Sequence, residues 1–352
     1  MNGMNERPSK LPANDRSADP HGPSGSPWGA RPVVLSTADD KFALPLAVML
    51  RSLADNLTWT PRVDVYVLDC GISARNKWRI RRSLPAGTIR IRFVPVPMDC
   101  LGGIHLDGYW TRSVYAKLLM GLLLPADISR AIFIDADTLV LRDIGELWEL
   151  DLEGKVLGAV PDPTYKLNEA LLWGGDLGFW GVTPDTPYFN SGLMVLDLVQ
   201  WQSQDVGERA LRMLREHPQR MFCVDQGALN AVLKGDFKAI GPAWNVTWLF
   251  YDLAPGTFAG EEGERRKQTY RNPRMIHFWG PRKPWTHPGP YYGADRFFVY
   301  LHRTAWRNAV DFAPWKNDAL AVRVRRRAKA WKARLFDALF RWREFRRPHF
   351  PA

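Results

Sequence analysis

The apolar run Ala131-Ile132-Phe133-Ile134 ends in Asp135-Ala136-Asp137, so a strand that suits a sheet interior gives way at once to two carboxylates. Such a strand can be buried on both faces of a parallel sheet, but ionised carboxylates cannot follow it inside unless a cation pairs with them. Similar short runs at residues 33–37, 63–68, 89–96, 156–160, 192–198, 237–240 and 275–278 read as strands. Helical patterns lie among them, from 40 to about 57 and at 73–84, 113–124, 204–216 and 226–233. Strands alternating with helices predict an α/β fold: a Rossmann-like, mostly parallel sheet flanked by helices. Ligands of such sheets sit in the crevice at the carboxyl ends of the strands. Alternation sends Asp135 and Asp137 to the same side, where two hard oxygen donors suit Mg²⁺ or Mn²⁺ and leave positions for phosphate oxygens. An isolated D-x-D is more often a solvated strand end before a turn, so its surroundings decide.

The 352 residues hold only Cys70, Cys100 and Cys223, widely spaced and odd in number, which excludes a zinc pattern or a disulfide framework and fits reduced thiols in the cytoplasm. No stretch is apolar enough for a membrane span. Residues 1–31, rich in Pro, Gly, Ser, Asn and Asp, read as a disordered leader before a domain at 32–310. The net charge of +11 is concentrated: residues 323–347 carry +9, leaving +2 for the other 327 residues.

Several polar groups fall near expected strand ends. Asp39-Asp40 follows the first strand, where carboxylates meet ligand or cap the next helix. Asn190-Ser191-Gly192 precedes a buried strand as either a turn or part of a site. Asp225-Gln226 starts a helix; Asp there favours the helix dipole, and Gln226 adds an amide at the same exposed start. His277 stands at a strand end, with Gly280 and Lys283 just beyond it and Trp285 behind two prolines. An imidazole can complete a metal site begun by carboxylates. Gly280 permits close backbone approach to a phosphate, and Lys283 can neutralise it. The Gly- and Trp-rich stretch 162–188 reads as a long loop over the site.

Taken together, six segments resemble glycosyltransferase family 8, the retaining family that includes bacterial lipopolysaccharide galactosyl- and glucosyltransferases. They are Ser36-Thr37-Ala38-Asp39-Asp40, Tyr115-Ala116-Lys117, Phe133-Ile134-Asp135-Ala136-Asp137, Phe189-Asn190-Ser191-Gly192, Asp225-Gln226 and the run from His277 to Trp285. They occur in the family's order across roughly residues 33–290. The resemblance implies a GT-A fold, a UDP-glucose or UDP-galactose donor and Mn²⁺ held by Asp135, Asp137 and His277. It also implies nucleotide contacts from Thr37, Ala38 and Asp39, a donor pocket that includes Lys117, Ala136, Ser191 and Gly192, and a diphosphate grip from Gly280 and Lys283. Asn190, Asp225 and Gln226 would surround the donor sugar as the catalytic group. Lys117 stands where bacterial members commonly carry Arg, and Lys41 where related sequences carry a shorter polar side chain.

In the tail, Leu320, Val324, Ala328, Trp331, Leu335, Ala338, Leu339, Trp342 and Phe345 recur at helical spacing, with Arg and Lys over the remaining surface. Aromatic residues opposite a cationic face suit an anionic membrane. Nucleic-acid binding and a merely solvated helix are the rivals. The resemblance favours a peripheral enzyme on the inner face of the plasma membrane, with residues 311–352 associating with lipid and a lipid-linked glycan as acceptor. A relative acting on a soluble or protein acceptor, or a non-catalytic basic binding protein, is the alternative.

Overall fold

The computed structural model describes residues 31–58, 60, 62–104, 111–162, 177–183, 185–217, 224–247, 260–280, 283–286 and 292–310. The tail, all of the leader except Arg31, Cys223 and most of the loop expected at 162–188 lie outside these residues.

Seven strands form a large sheet: β1 (Val33–Ala38), β2 (Val63–Asp69), β3 (Ile89–Pro95), β4 (Arg130–Ile134), β6 (Leu157–Pro161), β7 (Phe189–Asp197) and β8 (Lys238–Ala239). Their spatial order is β3-β2-β1-β4-β7-β6-β8. Every pairing is parallel except those of β7, which runs antiparallel to both β4 and β6. The strands expected from apolar runs are therefore present, and the sheet is mostly parallel. β3 alternates half-buried isoleucines with exposed arginines, as its edge position and its sequence alternation require.

Helices cover both faces. On one side α1 (Ala43–Asp55) and α6 (Ala294–Leu301) pack Leu46, Leu50, Phe297 and Leu301 onto the sheet. On the other, α3 (Val206–Glu216) and α4 (Val224–Leu233) cover Phe133, Met194 and Leu196. α2 (Ala74–Arg82), capped by Ser73 Oγ accepting from Asn76 N, lies beside the β2–β3 edge, and α5 (Gly260–Arg271) precedes the last strand. The helix expected at 113–124 is mainly a 3₁₀ segment, Arg112–Leu119, with one α turn after it. The helix expected at 204–216 is interrupted at Asp205, whose φ of 50° ends one short helix before α3 begins. No helix among the described residues is long and apolar enough to cross a membrane.

A second, small sheet is not apparent from the sequence. It has the order β5-β10-β9, with β5 at Thr138–Val140, β9 at Val246–Thr247 and β10 at Met275–His277. Asp135-Ala136-Asp137 is thus the bridge from the large sheet to the small one. Antiparallel pairing does the rest. The carboxyl end of β4 meets the start of β7, with Ile134 opposite Leu193 and Asp135 N donating to Gly192 O at 2.9 Å. The start of β5 meets the carboxyl end of β10, with Thr138 opposite His277 and Phe278 N donating to Asp137 O at 2.9 Å. Two distant segments are brought to the two aspartates by strand register alone.

Candidate active site

One cavity is lined by Thr37, Lys117, Asp135, Ala136, Asp137, Asn190, Ser191, Asp225, Gln226, His277, Gly280 and Lys283. Asn190 and Ser191 are not a turn before a strand: β7 begins at Phe189 and holds both. Asp225 and Gln226 do not sit at an exposed helix start either, being only 5% and 6% exposed where they line the cavity. A buried carboxylate needs a cation, and Lys117 provides it.

Lys117 is 3% exposed, and its Nζ lies 2.8 Å from Asp225 Oδ2, 3.1 Å from Asp135 Oδ1 and 3.4 Å from Ser191 Oγ. Burial opposes its charge, yet Asp135 and Asp225 more than offset this and raise its pKa. Ser191 Oγ also donates to Asp225 Oδ2 at 2.9 Å, so that carboxylate is committed to two partners. Gln226 Oε1 accepts from Ser191 N at 3.2 Å, and its Nε2 donates to Asp162 Oδ2 at 3.5 Å.

Across the cavity, Asp135, Asp137 and His277 can present ligand atoms that all lie within 4.8 Å of one another. His277 Nε2 is 3.3 Å from Asp137 Oδ1 and 3.9 Å from Asp135 Oδ2. Lys283 pairs with Asp137 and donates to Phe278 O at 2.7 Å. The two aspartates consequently differ. Burial and repulsion from Asp137 and Asp225 raise the pKa of Asp135, while Lys283 and His277 overcome burial to hold Asp137 below the ordinary carboxylate range.

Asn245, which sequence reasoning did not single out, decides the histidine. Gly192 N can only donate, and it donates to Asn190 Oδ1 at 3.0 Å. The same oxygen accepts from Asn245 Nδ2 at 2.7 Å, which turns Asn245 Oδ1 towards His277 Nδ1 at 3.0 Å. Nδ1 must then carry hydrogen, and the lone pair of a neutral imidazole is left on Nε2, facing the carboxylates. Two carboxylates and an imidazole lone pair converging on one point fit a divalent cation. Gly192 has its own reason to lack a side chain: a Cβ there would lie 2.3 Å from His277 Cε1. No sequence signal identifies Asn245, because it stands 32 residues from the histidine it orients.

Outside this constellation the first strand's carboxylates act as caps. Asp39 accepts from Phe42 N at 3.1 Å with one oxygen and from Thr111 Oγ1 at 2.9 Å with the other. Asp40 accepts from Ser73 N and Asn76 Nδ2, both at 2.8 Å, and so fixes the start of α2. Neither aspartate nor Ala38 is among the cavity's lining residues, although Thr37 is. Gly280 lines the cavity with φ 89°, a conformation that excludes most side chains. Cys70 and Cys100 are free thiols, and burial with Asp39 and Asp69 nearby pushes the Cys70 pKa up to about 12.

A doubly wound sheet whose D-x-D bridges to a small sheet, with a histidine and lysine opposite, defines a glycosyltransferase of the GT-A class. The glycosyl transferase family 8 profile matches residues 33–288, and the chain belongs to that family. General stress protein A of Bacillus subtilis is 32% identical over 280 residues, covering 78% of this chain and 94% of that protein. Lipopolysaccharide 1,2-glucosyltransferase of Escherichia coli is 26% identical over 246 residues, covering 68% of this chain and 66% of that protein. The crystal structure of the galactosyltransferase LgtC, in complex with donor and acceptor sugar analogues, superposes with a TM-score of 0.69 at 26% identity. That match covers 79% of this chain and all of the LgtC chain.

Proposed function

We propose that this glycosyltransferase is a retaining, Mn²⁺-dependent enzyme that transfers glucose or galactose from a UDP-sugar to a lipopolysaccharide core or similar lipid-linked glycan. The observation that carries the reading is the convergence of Asp135, Asp137 and His277 within 4.8 Å, with Lys283 beside them. Lipopolysaccharide hexosyltransferases among its relatives and the donor and acceptor analogues in LgtC support the substrate class. Asp135, Asp137 and His277 would hold the ion, which when bound supplies Lewis-acid neutralisation of the donor diphosphate.

The protein's own groups shape the rest. Lys283 can leave Asp137 for the departing phosphate once another cation serves that carboxylate. Asp225 is a poor nucleophile, because its Oδ2 is held by Lys117 and Ser191 at 2.8 and 2.9 Å. Gln226 offers only a neutral amide oxygen, already accepting from Ser191 N. Front-face substitution follows: the acceptor hydroxyl bonds to the anomeric carbon as the bond to phosphate breaks on the same face. A phosphate oxygen takes the hydroxyl proton, and configuration is retained. Asn190 and Gln226 line the face that the sugar would occupy.

The place of action follows from the basic, aromatic tail at 311–352, which would hold the enzyme to the inner face of the plasma membrane. Incubating the full chain with a panel of UDP-sugars and Mn²⁺ is the direct test. UDP release from UDP-glucose or UDP-galactose, lost on chelation, is the expected result. Absence of release from every UDP-hexose would overturn the donor assignment, and deletion of 311–352 without loss of binding to anionic vesicles would overturn the tail assignment.

A further inference from the structure

The small sheet has a second end. β5 leads from Asp137 to Arg142, a separation of about 15 Å at roughly 3 Å per strand residue. There Leu141 N donates to Arg274 O at 2.8 Å, and a groove opens between the two sheet strands and α6. Arg142, Arg271, Arg296 and Arg303 line it with Val299 and Tyr300, and no carboxylate is among its lining residues. Arg142, Arg271 and Arg296 are exposed and form no ion pair among the described residues. Only Arg303 has one, to Asp55 at 2.9 Å, and Asp55 is shared with Arg51 at 2.8 Å.

Four guanidinium groups round a concavity repel one another unless an anion sits between them. Their planar forks match phosphate oxygens two at a time. Tyr300 adds a donor: its oxygen accepts from Asn56 Nδ2 at 2.8 Å, and its own hydrogen has no acceptor among the described residues. The ligand chemistry is therefore a phosphate group.

What surrounds the groove says how that phosphate is presented. Val299 is 52% exposed on the same helix as Arg296. The surface continues to α2: Arg51 Nη1 donates to both Ser83 O and Arg303 O, and Arg79 Nη2 donates to Ala305 O while its guanidinium stacks on Trp306. On α2, Trp78 is 57% exposed, with the Arg82 guanidinium 5.1 Å from its ring and exposed Arg75 and Arg81 close by in the helix. An exposed indole among arginines has little use for a dissolved ion but suits the headgroup boundary of a bilayer. We propose that this groove binds the phosphate of anionic lipid head groups, so that the folded domain docks on a membrane through α2 and α6 independently of the tail.

The test is co-sedimentation of the full chain with vesicles of phosphatidylcholine, alone or mixed with phosphatidylglycerol. Arg142→Glu/Arg296→Glu is compared with Arg212→Glu/Lys234→Glu, which removes the same charge from exposed positions on the opposite face of the large sheet. The groove variant loses affinity for the phosphatidylglycerol vesicles by roughly tenfold or more, and the control by less than about threefold. Equal losses in the two variants would overturn the proposal. So would a groove variant that loses binding of soluble glycerol phosphate yet keeps wild-type vesicle binding, because the site would then serve a free phosphate. The inference adds a partner surface to the proposed enzyme without depending on the donor sugar; Mn²⁺-dependent UDP-sugar hydrolysis, unchanged in both variants, separates failure of one reading from failure of the other.

Discussion

The two lysines of the active site neutralise buried aspartates in different ways. Lys117, on the large-sheet side, is held among Asp135, Asp225 and Ser191 and is 3% exposed. Lys283, on the small-sheet side, has one carboxylate and one carbonyl, and lines the cavity. The first is a structural ion: three partners and burial leave it no alternative position. The second has fewer partners, and under the proposed mechanism a cation on Asp137 would free it for phosphate. The contrast is between a lysine fixed by three polar partners and one held by two.

Four substitutions probe that contrast. Asp137→Ala removes the carboxylate shared by the ion, His277 and Lys283. Mn²⁺-dependent UDP-sugar hydrolysis should fall by roughly 10³-fold or more, since loss of about 4 kcal/mol of transition-state stabilisation has that effect. Near-wild-type turnover would break the metal assignment.

Lys117→Met should act chiefly on folding. It leaves Asp135 and Asp225 buried without their cation, and breaking a buried pair in this way costs about 3–5 kcal/mol. Thermal denaturation should show a large drop in Tm, and an unchanged Tm would deny the structural character of this lysine.

Asn245→Leu keeps the volume but frees the imidazole tautomer. Groups that orient a ligating histidine are worth roughly 10–100-fold in metal affinity. Mn²⁺ titration followed by electron paramagnetic resonance reads this without turnover, and unaltered affinity would remove Asn245 from the site. Lys283→Met is expected to lower Tm less than Lys117→Met, because one carboxylate rather than two loses its cation. Its signature is a lower kcat for UDP-sugar hydrolysis with Mn²⁺ affinity kept; a Tm loss matching that of Lys117→Met would erase the distinction between the two lysines.

Much of the scaffold was legible because its signals are local. The runs at Val33, Val63 and Ala131 are apolar on both faces, and parallel strands between helices need that. Gly280 and the D-x-D were readable for the same reason, their chemistry being visible within a few residues. Asn190 and Ser191 were ambiguous because polar residues inside a strand resemble a turn. They belong to β7 because Asp225, Gln226 and Asn245 satisfy them there, and those partners are 34, 35 and 55 residues away. Asp39 and Asp40 had the position for ligand contact or for capping, and the bonds they make are to helix starts and to Thr111.

By itself the sequence determined the strands of the large sheet, its mostly parallel character and the set of groups that could hold a cation. Apolar periodicity and short motifs encode these without help from distant residues. The helices Gly260–Arg271 and Ala294–Leu301 were not read from the sequence. Only the tertiary structure decided the small sheet, the hydrogen-bond chain from Gly192 through Asn190 and Asn245 to His277, and the opposite assignments of Lys117 and Lys283. Each depends on strand register or on which charge is buried beside which, and those are set by packing across long separations in the chain.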